Sequence, residues 1–175
     1  MATAYKLLRM RSGKLYPLYV LSNEELPIGV WLDAKEGERL TNGKVKSKLG
    51  PLQFRPGWHL SDIPLAVHIG IREDGVIKYM HPDNVWCECE YSDTIDYQSE
   101  VEKNGKGYKA MMDRIPVNGF YRYKTSPSML GKWIIAGRMK INRVLSDEEV
   151  AEICLQNGYK SLPRKPKKCA YISLN

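Results

Sequence analysis

The sequence predicts an α+β fold that is rich in strands, mostly antiparallel, and closed by a capped C-terminal helix. Three observations support this class: short β-prone runs alternate with turn residues, the clearest helix signal comes last, and no internal repeat is visible. Hydrophobic residues make up 43% and charged residues 27% of the 175, a mixture that is typical of a chain with a packed core. We therefore expect a single domain over residues 1–159, followed by a basic, extended tail over residues 160–175.

The first half of the chain predicts a hairpin, a loop and a buried strand. Residues 5–10 and 15–20 are β-prone runs that flank a Ser-Gly turn. Residues 36–50 hold three glycines and several basic residues without a periodic pattern, which indicates a mobile surface loop. Residues 63–71 form an apolar run of the length of a buried strand, and the next strand follows the turn at residues 73–75.

The second half contains the best strand signal and the best helix signal. Residues 85–91 alternate, so that Cys87 and Cys89 share one face and the glutamates between and after them share the other. Residues 95–115 predict a helix that breaks near an Asn-Gly-Lys-Gly stretch, and residues 120–124 and 133–145 predict strands, with Gly137 as a bulge in the second.

The last helix has both of its ends marked in the sequence. Ser146 is expected to cap the first turn, and Glu149 stands three residues later, as in a capping box. Val150, Ile153 and Cys154 form an apolar stripe at helical spacing, and Gly158 stands where helices commonly end.

Cysteine usage and hydropathy indicate a cytoplasmic chain. The four cysteines form no CxxC pair and show no regular spacing, so we expect reduced thiols and assign no metal site. No apolar run approaches the length that crosses a bilayer, and we expect no membrane partner.

Net charge is concentrated at the C-terminus. The chain carries +7, of which residues 160–175 contribute +5 and residues 1–159 only +2. The tail contains two prolines and no acid, so we expect an extended and mobile segment. Its clustered cations predict affinity for polyanions.

A second group of cations predicts a nucleic-acid-binding face. Two neighbouring strands carry basic residues interleaved with tyrosines, which suits phosphate contacts and base stacking, although a solvated strand face has a similar composition. With the tail, the predicted interface for nucleic acid or a host nucleoprotein complex comprises Arg122, Lys124, Arg138, Lys140, Arg143, Arg164, Lys165, Lys167 and Lys168.

Catalytic candidates are few. His59 follows a Pro-Gly turn and Trp58, and it is either a ligand-binding or catalytic group or a packed structural one. His68 lies in an apolar run and is expected to be a core residue. Glu88 and Glu90 stand about 7 Å apart on one strand face, a spacing found for paired carboxylates but also on any solvated face.

Several segments together resemble a family of uncharacterised small proteins and domains encoded by bacteriophages and other mobile elements of gut-type bacteria. The resemblance spans most of residues 5–158 and rests on YKLLR, LYPLYV, RPGWH, VWCECE, and WII with MKINRVLS. It implies an accessory protein of the host-interaction or anti-defence type.

A more distant likeness is to compact ADP-ribosyltransferase folds. It rests on the early strand pair, the central turn with a histidine, the alternating strand with glutamates, and the late Tyr-Arg-Tyr-Lys segment. The likeness implies NAD as the cofactor, where none is otherwise expected. It also implies a cleft that holds His59 with Glu88 or Glu90, with Arg9 as the other candidate for the first core strand. The His-Gly-Thr type of motif seen in those enzymes is missing.

Overall fold

The computed structural model describes residues 2–167, which form a strand-rich α+β structure. The two α-helices are α1 (Gln98–Lys103) and α2 (Asp147–Gln156), and a single 3-10 turn covers Gly107–Lys109. The strands are β1 (Ala2–Arg11), β2 (Lys14–Tyr16), β3 (Trp31–Asp33), β4 (Trp58–Ser61), β5 (Ile71–Glu73), β6 (Val76–Tyr79), β7 (Asn84–Tyr91), β8 (Ile95–Asp96), β9 (Gly119–Arg122), β10 (Trp133–Ala136) and β11 (Arg138–Val144).

One large sheet organises the chain. Its strand order is β3-β11-β7-β1-β4-β10-β9-β8, with β2 paired to the end of β1, and β5 and β6 form a separate hairpin. All pairs are antiparallel except β8 with β9. The predicted strand-rich, mostly antiparallel sheet with a C-terminal helix is confirmed at this level.

Two hydrophobic clusters cover the two faces of the sheet. Alternation along β1 sends Leu7 to the first cluster, with α1 and α2, and sends Ala4 and Leu8 to the second. In the same way β7 contributes Trp86 to the first cluster and both of its cysteines to the second. The sheet is therefore buried on both sides over its centre.

Helix α2 is held at its start by side-chain capping. The Ser146 hydroxyl accepts from the Glu149 amide at 3.1 Å, and the Glu149 carboxylate accepts from the Ser146 amide at 3.2 Å. Val150 and Cys154 are buried on the face that packs against the sheet.

Four predicted elements differ from the structure. The strand predicted over 15–20 is limited to β2, and residues 17–20 lie outside any strand. Residues 63–70 form bends and turns rather than a strand, with 63–66 buried and 67–70 half-buried, because Pro64 breaks the ladder and the Ile69 amide donates locally to Ala66. The predicted helix over 95–115 is reduced to α1 and the 3-10 turn. Gly137 separates two strands rather than forming a bulge in one: a Cβ there would lie 2.2 Å from the Pro116 carbonyl oxygen.

The first part of the tail is docked onto the folded body. Residues 160–167 run without helix or strand, but the Met80 amide donates to the Pro163 carbonyl and the Lys165 amide to the Met80 carbonyl, both at 2.8 Å. Arg164 donates to the carbonyls of Pro82 at 2.6 Å and Asn84. Residues 163–165 are therefore hydrogen-bonded to the folded body, which differs from the mobile segment that the sequence predicted. Lys168 lies outside the described residues.

Candidate functional site

The large sheet splits between β1 and β4. These strands share one paired position, Tyr5 with Ser61, after which the end of β1 pairs with β2 instead. A cleft of about 750 Å³ opens at this split. Its walls are the diverging strands and residues of the segments 17–36, which include β3, and 49–57.

A tight turn presents His59 to the cleft. Gly57 has φ +137°, and a Cβ there would lie 2.3 Å from the Ile135 side chain, so only glycine fits. The His59 Nε2 lies 3.1 Å from the Arg55 carbonyl oxygen, and its ring lies 5.7 Å from the Tyr123 ring. Because this partner is an acceptor, neutral His59 carries its proton on Nε2 and offers Nδ1 as an acceptor.

The charge state of His59 follows from its surroundings. Burial is the largest of the effects that together lower its pKa to about 4; the nearby positive charge of Lys6 acts in the same direction, and the hydrogen bond to the Arg55 carbonyl acts in the opposite direction. His59 is therefore a neutral hydrogen-bonding group at neutral pH.

Lys6 is the least expected residue of the cleft. Its Nζ donates to the His59 carbonyl oxygen at 2.8 Å and lies 5.8 Å from the centre of the Trp58 ring. Burial lowers its pKa to about 8. No carboxylate of the described residues forms an ion pair with it. Alternation along β1, with Lys6 between two buried apolar positions, was the signal available in the sequence.

Arg55 and His68 are two further polar residues of the cleft, whose lining also includes the carboxylates of Glu24, Glu25, Asp33 and Glu36. The Arg55 guanidinium lies 5.0 Å from the Tyr123 ring centre and donates to Gln53 at 2.8 Å, and burial lowers its pKa. Its Nε is enclosed and has no hydrogen-bond partner among residues 2–167. His68 packs edge-on against Trp133 at 5.0 Å, burial lowers its pKa, and its Nδ1 also has no partner within the described chain.

Glu88 and Glu90 do not line the cleft. Glu90 pairs with Lys140 at 2.7 Å, and Glu88 pairs with Arg143 at 3.3 Å. Glu88 shares a sheet face with His59, but two strand spacings and two residues along β4 separate them by roughly 12 Å. The histidine and glutamates of the predicted catalytic set are not brought together.

Carboxylates neutralise most of the predicted nucleic-acid-binding face. Lys124 is exposed and is the member of that set, within residues 2–167, that has no ion pair. The other described members of the set are paired as follows: Arg122 with Asp96, Arg138 with Asp33, Lys140 with Glu90, Arg143 with Glu88 and Glu149, Arg164 with Asp147, Lys165 with Glu73, and Lys167 with Asp83. We call the group Glu88, Glu90, Lys140, Arg143 and Glu149 the ionic stripe.

Comparison with protein-family models, with curated proteins and with solved structures found no match for the chain. Over the part of the chain that the structure describes, no helix is long and apolar enough to cross a bilayer. The same residues contain no cluster of three or more histidine, cysteine or acidic side chains suited to a metal ion. Assignment of function therefore rests on the geometry of the cleft.

Proposed function

We propose that the cleft binds a small ligand that combines an aromatic ring with negative charge, of the nucleotide class, with NAD as the member to test first. The observation that carries this proposal is that Lys6 and Arg55 both line the cleft and that neither has a carboxylate partner within residues 2–167. A buried cation that lacks a counter-ion lowers stability, and an anionic ligand supplies the missing charge.

The other cleft residues suit the ring of such a ligand. Trp58, Tyr123 and Trp133 line the cleft and provide apolar surfaces for stacking. Neutral His59 offers an acceptor for the N–H groups of a base or a carboxamide. Because Glu88 and Glu90 pair elsewhere, the proposal is ligand binding, and ADP-ribosyl transfer has no carboxylate assigned to it. In the host-interaction role that the family resemblance implies, the ligand is a nucleotide of the host cell.

Calorimetric titration with NAD, ADP and uncharged adenosine tests this proposal. We expect ADP to bind at least ten-fold more tightly than adenosine, and Arg55→Ala to remove most of that difference. Arg122→Ala is the matched control, because Arg122 pairs with Asp96 outside the cleft. Equal affinity for adenosine and ADP, or equal effects of the two variants, would contradict the proposal. Nicotinamide release, followed in the NAD samples, reports separately on turnover.

Binding of nucleic acid is the second candidate, and the net charge of +7 supports it. Each ion pair on the proposed face must be broken before its cation can contact a phosphate, which weakens the counter-ion release that drives such binding. Titration with duplex and single-stranded DNA and RNA at several salt concentrations is the test. A steep loss of affinity with salt, reduced by Lys124→Ala, would support this candidate. Absence of binding at low salt would exclude it.

A further inference from the structure

Lys6 occupies a position on β1 whose neighbours on the same strand face are apolar and buried. It lies on the β1 face that also carries Ala4 and Leu8, both of which are buried in the second cluster. It escapes that cluster only because the sheet splits here, which lets Nζ reach the His59 carbonyl at the cleft wall. The amine therefore meets any ligand that enters the cleft.

None of the charged or titratable groups that surround this amine in the described part of the chain provides a counter-ion. Strand β7 presents the thiols of Cys87 and Cys89, and burial raises the pKa of both to about 12, so they are neutral. Strand β4 presents the neutral His59 ring, and Arg55 before it is a second cation.

The acidic side chains of the cleft loops do not supply one either. Glu24 pairs with Lys35, Glu25 with Lys14, and Asp33 with Arg138. Glu36 is exposed and forms no ion pair with the amine. These surroundings raise the fraction of the uncharged amine, the form that is nucleophilic, while most of the side chain is still protonated at neutral pH.

We propose that Lys6 is a nucleophilic amine that holds a carbonyl-bearing ligand in the cleft as an imine. The inference goes beyond nucleotide binding, because it assigns covalent chemistry to one side chain. The ligand class is an aldehyde or ketone that also carries an aromatic ring and negative charge, which the neighbouring aromatic residues and Arg55 accommodate.

The reaction needs no oxidant or reductant. The nitrogen lone pair of Lys6 forms a C–N bond to the carbonyl carbon, and the carbonyl oxygen takes up a proton to give a carbinolamine. Loss of that oxygen as water, with the remaining amine proton, leaves the C=N bond. The adjacent His59 carbonyl accepts a hydrogen bond from the nitrogen as long as the nitrogen carries a proton.

Pyridoxal 5′-phosphate is a suitable probe, since it combines an aldehyde, an aromatic ring and a phosphate. The full chain is incubated with a sub-stoichiometric amount, reduced with borohydride and mapped by peptide mass spectrometry. With a pKa of about 8, about half of Lys6 is free amine at pH 8, against roughly 0.3% of an ordinary lysine. We expect labelling of Lys6 to exceed that of exposed Lys124 at least ten-fold at pH 8.

Two controls distinguish reaction at the Lys6 amine from non-covalent binding of the probe in the cleft. Pyridoxine 5′-phosphate, which has an alcohol in place of the aldehyde, is expected to leave no reducible adduct. Lys6→Arg is expected to abolish the preferential label, and Lys124→Arg to leave it unchanged. Because mapping of the unmodified sequence already gives the site, the result does not depend on the folding of a variant. Labelling spread evenly over the lysines, or no label on Lys6, would overturn the inference while leaving nucleotide binding, measured without aldehyde, unaffected.

Discussion

The ionic stripe and the cleft both hold cations on the large sheet, and the two regions differ in whether those cations are paired with carboxylates. In the stripe, Lys140 and Arg143 each contact a glutamate directly across the strand pair with β7. In the cleft, Lys6 and Arg55 have no such partner among the described residues. Paired charges on a strand face support the fold, whereas unpaired enclosed charges weaken it and are retained where a ligand uses them. A high density of basic residues along the chain thus did not indicate which cations lack a carboxylate partner among the described residues.

The largest effect is expected at Trp58, which belongs to the cleft wall and to the core together. Its indole N–H donates to the Leu32 carbonyl at 2.9 Å, and its ring packs against the second cluster. Trp58→Ala should lower the free energy of unfolding by about 3–5 kcal/mol, because a large void replaces the ring. Trp58→Phe should recover more than half of this loss in chemical denaturation. A loss below about 1 kcal/mol for the alanine variant would show that the cleft wall is independent of the core.

Acid should affect the cleft before the stripe. The folded pKa of His59, about 4, lies below its ordinary 6.5, so the unfolded chain binds the extra proton first and stability falls as pH drops from about 6.5 to 4. The full penalty is about 3 kcal/mol. His59→Gln should remove this part of the pH profile in urea melts recorded at successive pH values. An unchanged profile would mean that His59 is protonated as easily as in solvent.

The stripe should respond in a lower pH window. Hydrogen bonds from Lys140 and Arg143 lower the pKa of Glu90 and Glu149 below the usual 4.5. Their contribution is therefore complete above about pH 4.5 and is lost as pH falls through the lowered values. The same urea melts therefore distinguish the two regions by the pH range in which each loses stability. Glu149→Gln should change the stability only in the lower pH range.

Arg164 should contribute to stability as the paired cations of the ionic stripe do, although it lies in the tail. It pairs with Asp147 at 3.0 Å and donates to backbone carbonyls next to β7. Arg164→Ala should lower the free energy of unfolding by about 1–3 kcal/mol, because these acceptors lose a charged donor. Lys167→Ala, at an exposed pair with Asp83, should change it little. Thermal melts of both variants decide this, and equal melting temperatures would show that the tail is held by other contacts.

The smallest effect, and the most direct comparison, uses one substitution at two lysines. Lys140→Met leaves Glu90 without its partner and should lower the melting temperature. Lys6→Met removes an enclosed cation that has no counter-ion and should leave the melting temperature unchanged or raise it, while weakening ADP binding at least ten-fold. If both variants lower the melting temperature equally, Lys6 contributes to the fold as Lys140 does.

Local signals in the sequence were sufficient for the parts of the fold that depend on neighbouring residues. Alternation predicted β7, and the Ser146–Glu149 pattern, at the start of α2, corresponds to hydrogen bonds made within a single turn. The Pro-Gly turn before His59 is equally local, since a positive φ and a crowded Cβ both select glycine. These features needed no knowledge of distant contacts.

Tertiary structure alone decided which charges are paired and where the cleft lies. Arg143 and Glu88 are far apart in sequence but adjacent across two strands, so counting cations along the chain could not reveal their neutralisation. Lys6 reaches His59 only because β1 exchanges β4 for β2 as its partner, an event set by strand order. Electrostatic interactions depend on distance in space and on burial, and both quantities are created when the strands are assembled.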